Sequence, residues 1–382
     1  MPETFTLNEL KYNFSALPRE YWELPDAERD ARTAAAKRKL GKDLLILTHN
    51  YQRDAVFKWA DYTGDSYQLS KYAAEDKESK FIVFCGVSFM AETVDILCEG
   101  RKRVILPSME ASCPMAGMAE VVQVQKAWDE LSALVPESDV IPITYINSYA
   151  DLKAFVANRG GAVCTSSNAL AIFKWALAQK AGTNGASKRV FFYPDQNLAI
   201  NMWVKAGQPD HQAIVWNPWN PHLGGNTPEA VERARLYMWR GFCQVHDRFK
   251  PEHVYESRAK HPGIKVLVHP ECPREVVAIA DVVGSTSQII KTVETSPPGS
   301  QWAIGTEFNL VNRLKHTHPE QFIMPLGCEV CIDCNAMRQV DPNYLLWVLE
   351  ELADGRVQNL IQVDADDAKW ARIALDRMLK IV

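Results

Sequence analysis

Ala60-Asp-Tyr-Thr-Gly-Asp-Ser-Tyr-Gln-Leu-Ser-Lys71 lies over Ala280-Asp-Val-Val-Gly-Ser-Thr-Ser-Gln-Ile-Ile-Lys291, with Ala, Asp, Gly, Gln and Lys recurring at identical offsets. His49 precedes Ser66 by the same interval that separates His269 from Thr286. Downstream, Gly86-Val-Ser-Phe89 resembles Gly305-Thr-Glu-Phe308. A fainter middle copy runs through Tyr145-Ile-Asn147, Thr165-Ser-Ser-Asn168 and Tyr193-Pro-Asp195. Matched spacing of this kind points to internal duplication rather than shared composition.

Apolar runs alternate with helix-period segments around these copies: Asp43–His49, Lys80–Cys85, Arg103–Leu106, Val140–Asn147, Val190–Tyr193, Ile264–His269 and Gln301–Gly305. Val- and Ile-rich strands separated by helices imply parallel sheets covered on both faces. The expected fold class is α/β, with three homologous three-layer α/β/α domains and parallel sheets around a pseudo-threefold axis. The expected boundaries are 1–117 for the first repeat with a helical N-terminal extension, 118–243 for the second and 244–334 for the third. A helical segment at 335–382 is expected to pack back on the first repeat. The spacing of Cys113, Cys243 and Cys334 makes the second repeat longer and places an insertion near 201–240. That insertion includes Trp216-Asn-Pro-Trp-Asn-Pro-His-Leu-Gly-Gly225, which reads as a loop rather than a repeat element.

Composition narrows the function. The 382 residues are 47% hydrophobic and 23% charged, the balance of a globular chain with ample core. No apolar run reaches the roughly 18 residues of a membrane span. A net charge of −5 without a basic block argues against a nucleic-acid binder. The N-terminus lacks a basic n-region and an apolar h-region, so export is not expected. Nine cysteines, an odd number spread through a long chain, fit a reducing cytoplasm better than a disulfide scaffold.

Thiolates are the standard ligands of iron–sulfur clusters and structural zinc. Cys328-Glu-Val-Cys331-Ile-Asp-Cys334 has metal-ligand spacing, but neither a ferredoxin Cys-Pro nor a second zinc half-site follows. The local signal leaves the metal open. One cysteine after each repeat (Cys113, Cys243 and the group ending at Cys334) would give three thiolates. A cubane held by three would leave one iron for an exchangeable ligand, able to act as a Lewis acid. Cys85, Cys98, Cys164 and Cys272 read as packing thiols. Cys328 and Cys331 are spaced for a disulfide that could act as a redox control.

Ligands of open α/β sheets bind at the carboxyl ends of strands. The polar residues there are His49, Tyr51, Ser66, Tyr145, Asn147, Ser166, His246, His269, Glu271, Ser285 and Thr286. Ser66, Ser166 and Thr286 fall where helices begin, so their hydroxyls could hold carboxylate or phosphate, although Ser and Thr there are also ordinary caps. A His or Glu following an apolar strand costs desolvation unless it has a task, which favours His49, His269 and Glu271.

At these residues the sequence resembles the quinolinate synthase family, from about Asp43 to Met337. The matching segments are His49-Asn-Tyr-Gln52, Gly64-Asp-Ser66, Phe89-Met-Ala-Glu92, Ala111-Ser-Cys113 and Tyr145-Ile-Asn147. They continue with Thr165-Ser-Ser-Asn-Ala169, Cys243-Gln-Val-His246, His269-Pro-Glu-Cys272, Gly284-Ser-Thr-Ser287 and Cys334-Asn-Ala-Met337. The resemblance implies a transferase of de novo NAD biosynthesis that condenses iminoaspartate with dihydroxyacetone phosphate to quinolinate. It implies one [4Fe–4S] cluster per chain on Cys113, Cys243 and Cys334, and a three-domain α/β/α fold with the active site at the shared centre. It further implies catalytic Glu271, Tyr51, His49 and His246, and substrate binding by His49, Ser66, Tyr145, Asn147, Ser166, His269, Glu271, Ser285 and Thr286. Coupling to an aspartate-oxidising enzyme would follow, with monomer and homodimer both open. Cys328 and Cys331 depart from the family pattern, and the segment before Cys243 occurs in only part of the family. Two other classes stay open: a different iron–sulfur hydro-lyase, and a non-catalytic iron–sulfur electron carrier or sensor.

Overall fold

The computed structural model describes residues 17–183, 185–327 and 332–381. The chain forms two compact units. One runs to Cys113 and takes in Asn335–Asp364; the other comprises Pro114–Cys334 and the chain from Ala365. The first unit contains β1 (Leu44–His49), β2 (Tyr62–Gly64), β3 (Phe81–Cys85) and β4 (Arg103–Ile105). The second unit contains β5 (Val140–Tyr145), β6 (Ala162–Cys164), β7 (Arg189–Tyr193), β8 (Ala213–Trp216) and β9 (Leu236–Trp239). A further sheet of that unit contains β10 (Lys265–Val268), β11 (Val282–Val283), β12 (Gln301–Gly305) and β13 (Phe322–Pro325).

The strand orders coincide: β2-β1-β3-β4, β6-β5-β7-β9 and β11-β10-β12-β13, all parallel. Register repeats as well. Leu47 faces Tyr62 and Thr48 faces Thr63, while Leu267 faces Val282 and Val268 faces Val283. The central strands β1 and β5 are buried throughout, as sheets covered by helices on both faces require.

The recurring residues of the opening motif have structural work. Asp61 accepts a hydrogen bond from the Ile46 amide (2.8 Å), and Asp281 accepts one from the Val266 amide (2.7 Å). Each carboxylate thereby satisfies a strand donor at the sheet edge. Gln68 and Gln288 close capping boxes with Asp65 and Ser285 at the starts of Ser66–Glu75 and Thr286–Glu294. Gly64 and Gly284 precede those caps because a Cβ would lie 2.8 and 2.7 Å from the Gln Cβ atoms. The helix caps are therefore Asp65 and Ser285, and the Ser66 and Thr286 hydroxyls stand one residue inside.

The insertion near 201–240 holds regular elements on either side of the Trp216–Gly225 stretch. Its β8 extends the second sheet beyond β9, and Pro228–Arg233 forms a short helix capped by Thr227. Trp216 at the end of β8 joins an apolar cluster with Trp128, Phe191, Tyr193, Tyr237 and Trp239, which anchors the strand before the Pro- and Gly-rich stretch begins. Of the segment 335–382, expected to pack back on the first repeat, only the part up to Asp364 belongs to the first unit. The helix Pro342–Ala353 lies on Asp26–Leu40, and β14 (Leu360–Ile361) pairs antiparallel with β4 in the first unit. The helix Ala365–Lys380 lies instead on Ala150–Asn158 and β6 of the second unit. Its buried stripe of Ala371, Ala374, Leu375 and Met378 shows that it needs a partner but cannot name one. Among the described residues no helix is long and apolar enough to cross a membrane.

Candidate active site

The second unit gathers its polar strand-end residues around Glu271. β10 is followed by His269-Pro-Glu-Cys272, a turn closed by the Cys272 amide donating to the His269 carbonyl (3.0 Å). Asn201, on the helix Gln196–Lys205, donates to the carbonyls of Pro270 and Cys272, each at 2.8 Å. The Glu271 backbone is gripped on both sides.

Its side chain is 4% exposed. Tyr145, at the end of β5, donates its hydroxyl to one oxygen of Glu271. His246 Nδ1 lies 2.8 Å from the other, and His246 Nε2 lies 3.0 Å from the Thr306 hydroxyl. The His246 and His269 rings stack at 4.3 Å. The His246 ring therefore bridges the Glu271 carboxylate and the Thr306 hydroxyl. Burial alone would raise the Glu271 pKa, but His269, His246 and the two hydrogen bonds outweigh it and hold it at about 2. Tyr145 is pushed well above its ordinary value by burial and then by the Glu271 charge, so it stays a donor. Ser166 also hydrogen-bonds to the Tyr145 hydroxyl.

The remaining expected residues are placed as follows. Asn147 is half-buried just past β5; Ser285 and Thr286 are buried at their helix start. The Ser285 hydroxyl accepts from Ser167 at 3.0 Å. In the first unit, His49 ends β1 and is buried, and its Nδ1 accepts from the Tyr51 amide at 3.2 Å. The same contact recurs in the second unit, where the Glu271 amide donates to His269 Nδ1 at 3.4 Å. Tyr51 packs edge-on to His49 at 4.8 Å, and Ser66 is half-buried.

The cysteines divide into two sets. Cys85, Cys98, Cys164 and Cys272 are buried, and burial pushes the Cys85 thiol up to about 12 and those of Cys164 and Cys272 well above the usual range. Cys113, Cys243 and Cys334 are partly accessible. Cys243 and Cys334 border one apolar cluster with Val245, Phe249 and Ile332. Sulfur of Cys243, a ring nitrogen of His246 and an oxygen of Glu271 lie within 4.8 Å of one another. The nitrogen and oxygen donors are already engaged in the chain from Thr306 to Tyr145, so thiolate is the donor this corner offers, and that suits iron–sulfur ligation. Cys328 and Cys331, with any disulfide between them, lie outside the described residues.

Sequence reasoning did not single out Thr306, Asn201, Asp195 or Glu307. Asp195 and Glu307 are both fully buried helix caps, accepting from the Leu198 amide (2.7 Å) and the Leu310 amide (3.2 Å). Burial, reinforced by the Glu271 charge, raises Asp195 well above the carboxylate range. Burial brings Glu307 to about 8, against the hydrogen bonds it accepts. Both residues stood in the repeat alignment, in Tyr193-Pro-Asp195 and Gly305-Thr-Glu-Phe308, and a carboxylate straight after an apolar strand was the available signal.

A family model described as "Quinolinate synthetase A protein" matches residues 32–380. "Quinolinate synthase" of Halobacterium salinarum is 52% identical over 376 residues, covering 98% of each chain. "Quinolinate synthase" of Haloarcula marismortui is 49% identical over 376 residues, again 98% of each chain. That of Rhodopirellula baltica is 49% identical over 371 residues, 94% of this chain and 93% of that one. Similarity at this level, over nearly the whole length, means that the chain belongs to the quinolinate synthase family.

Proposed function

We propose that the protein condenses iminoaspartate with dihydroxyacetone phosphate to form quinolinate, phosphate and water, in the service of NAD biosynthesis. The observation that carries this reading is the buried chain Thr306–His246–Glu271–Tyr145 at strand ends beside Cys243. An electron carrier has no use for a dehydrated acid–base chain of this kind, and a simple hydro-lyase has none for the hydroxyls one residue inside two helix starts.

Cys113, Cys243 and Cys334 would hold a [4Fe–4S] cluster. When bound, it would supply a Lewis-acidic iron for a substrate nitrogen or oxygen. The protein residues would do the rest. Ser66, Ser166, Ser285 and Thr286 offer hydroxyls, and the helix starts offer amides, for carboxylate and phosphate oxygens. His49, Tyr145, Asn147 and His269 would orient the carboxylates. With a pKa of about 2, Glu271 is too weak a base at rest. Anionic substrates entering the site would oppose its charge and raise its proton affinity. Protons would then pass between substrate and Glu271 through the Tyr145 hydroxyl, with His246 and Thr306 returning them from the other side. By the family resemblance, Tyr51 and His49 would also exchange protons with substrate.

Anaerobically purified protein given both substrates should yield quinolinate by mass, together with about four iron and four sulfide per chain. Iron–sulfide content without quinolinate would favour the carrier or sensor instead.

A further inference from the structure

The loop Thr165-Ser-Ser-Asn168 follows β6 and carries Ser166, which hydrogen-bonds to Tyr145, and Ser167, which donates to Ser285. Its shape is set by Asn168, which is 4% exposed. The Asn168 side-chain oxygen accepts from the Thr165 amide (2.8 Å) and the Thr165 hydroxyl (3.1 Å). In the other two repeats the corresponding positions are Gln68 and Gln288, whose oxygens accept from the Asp65 amide (3.3 Å) and the Ser285 amide (3.0 Å).

The other end of the Asn168 amide is committed elsewhere. Its nitrogen donates to the carbonyls of Met378 (2.9 Å) and Ile381 (3.0 Å). Those carbonyls belong to the end of the helix Ala365–Lys380 and the residue after it, where backbone acceptors have no partner within the helix. One turn back, Arg377 donates to the Gly161 carbonyl just before β6, and its guanidinium lies 5.7 Å from the Trp175 ring centre. Met378 itself is fully buried.

We infer that the helix Ala365–Lys380 is a strut for the Thr165–Asn168 loop, and that Asn168 is a positioning residue for the substrate anion held at Ser166. The second half of this rests on the function proposed above; the strut does not. A buried amide whose two ends serve different elements transmits displacement between them, because losing either set of bonds strands polar atoms away from water. Loosening the helix end should therefore move the hydroxyls of Ser166 and Ser167 while leaving the Glu271–His246 pair in place.

Asn168→Asp tests this. It keeps the acceptor for Thr165 but sets a carboxylate oxygen against the Met378 and Ile381 carbonyls. Hydrogen exchange of the holoenzyme should accelerate about tenfold in both 375–381 and 163–168. The KM for dihydroxyacetone phosphate or iminoaspartate should rise about tenfold, with kcat within about threefold and iron content unchanged. Unchanged exchange at 375–381 would overturn the strut, as would faster exchange there with 163–168 unmoved. Both segments loosening while KM stays fixed would overturn the positioning role. Should Asn168→Asp fail to fold, Arg377→Met, which releases the same helix end at Gly161, is read by the same measurements. If wild-type protein made no quinolinate, the proposed function would fall, and coupled exchange of the two segments would still decide the strut.

Discussion

Glu271 carries a charge where water scarcely reaches it, 3% exposed beneath Tyr145 and His246. A buried charge of this kind persists only with full hydrogen bonding, and here both oxygens are engaged. Glu271→Gln keeps the shape but replaces one acceptor with an NH2 group that must face a donor. Quinolinate formation should fall by about a hundredfold or more, the usual scale for losing a positioned acid–base group. Iron content should stay close to wild type, while the donor facing the new NH2 group lowers the thermal melting midpoint by a few degrees, about 2–4 °C. Turnover near wild type in this variant would return Glu271 to a structural role. The sequence exposes Glu271 because a carboxylate after an apolar strand is costly. It hides Thr306 and Asn201, whose importance comes from what they touch rather than from their chemical type.

Between elements, the clearest single tie is Arg32 to Glu350, which joins Asp26–Leu40 to Pro342–Ala353. The fork is bidentate at 2.9 and 2.7 Å, and the Tyr21 hydroxyl adds a third bond at 2.7 Å. The Arg32 hydrogen bond holds Glu350 below its ordinary value against partial burial. A depressed carboxylate contributes stability in full above its unfolded value of about 4.3 and loses it as pH falls through the folded value. After allowance for solvent screening, Glu350→Gln should cost about 1 kcal/mol at pH 7. The gap to wild type should narrow in acid, as pH is taken from 7 to well below the unfolded value of about 4.3. Urea unfolding at both pH values measures it; a difference that persists in acid would mean that packing, not charge, is lost. This pairing was not readable in advance, because two amphipathic helices far apart in sequence give no sign of choosing each other. The strands were readable, since β1, β3, β5, β7, β10 and β12 all fall on apolar runs bounded by polar residues. Short edge strands such as β2, β6 and β11 were not, having only two or three residues each, too few to set a period.

Across the whole chain, duplication is the feature the sequence states most clearly, because the aligned Asp, Gly and Gln residues each serve one hydrogen bond or close approach in both copies. The middle copy is faint for a physical reason: Thr165 and Asn168 perform the same turn with shorter side chains, and β8 lengthens the chain before β9. The three copies also sort the cysteines, and chemical reactivity can read that sorting. A thiol reacts as thiolate, so burial that drives Cys85 to about 12, and Cys164 and Cys272 well above the usual range, should leave them inert near neutrality. Iodoacetamide at about pH 8 should therefore label Cys113, Cys243 and Cys334 in folded apoprotein, and leave Cys85, Cys98, Cys164 and Cys272 unmodified by peptide mass. Reconstituted holoprotein should be protected at the first three. Replacing Cys113, Cys243 or Cys334 by Ala should remove most of the bound iron, whereas Cys85→Ala or Cys164→Ala should remove little. Labelling and iron retention fail separately. Labelled thiols whose replacement leaves iron in place would mean that accessibility, and not ligation, distinguishes them, and the cluster would have to be sought on other cysteines.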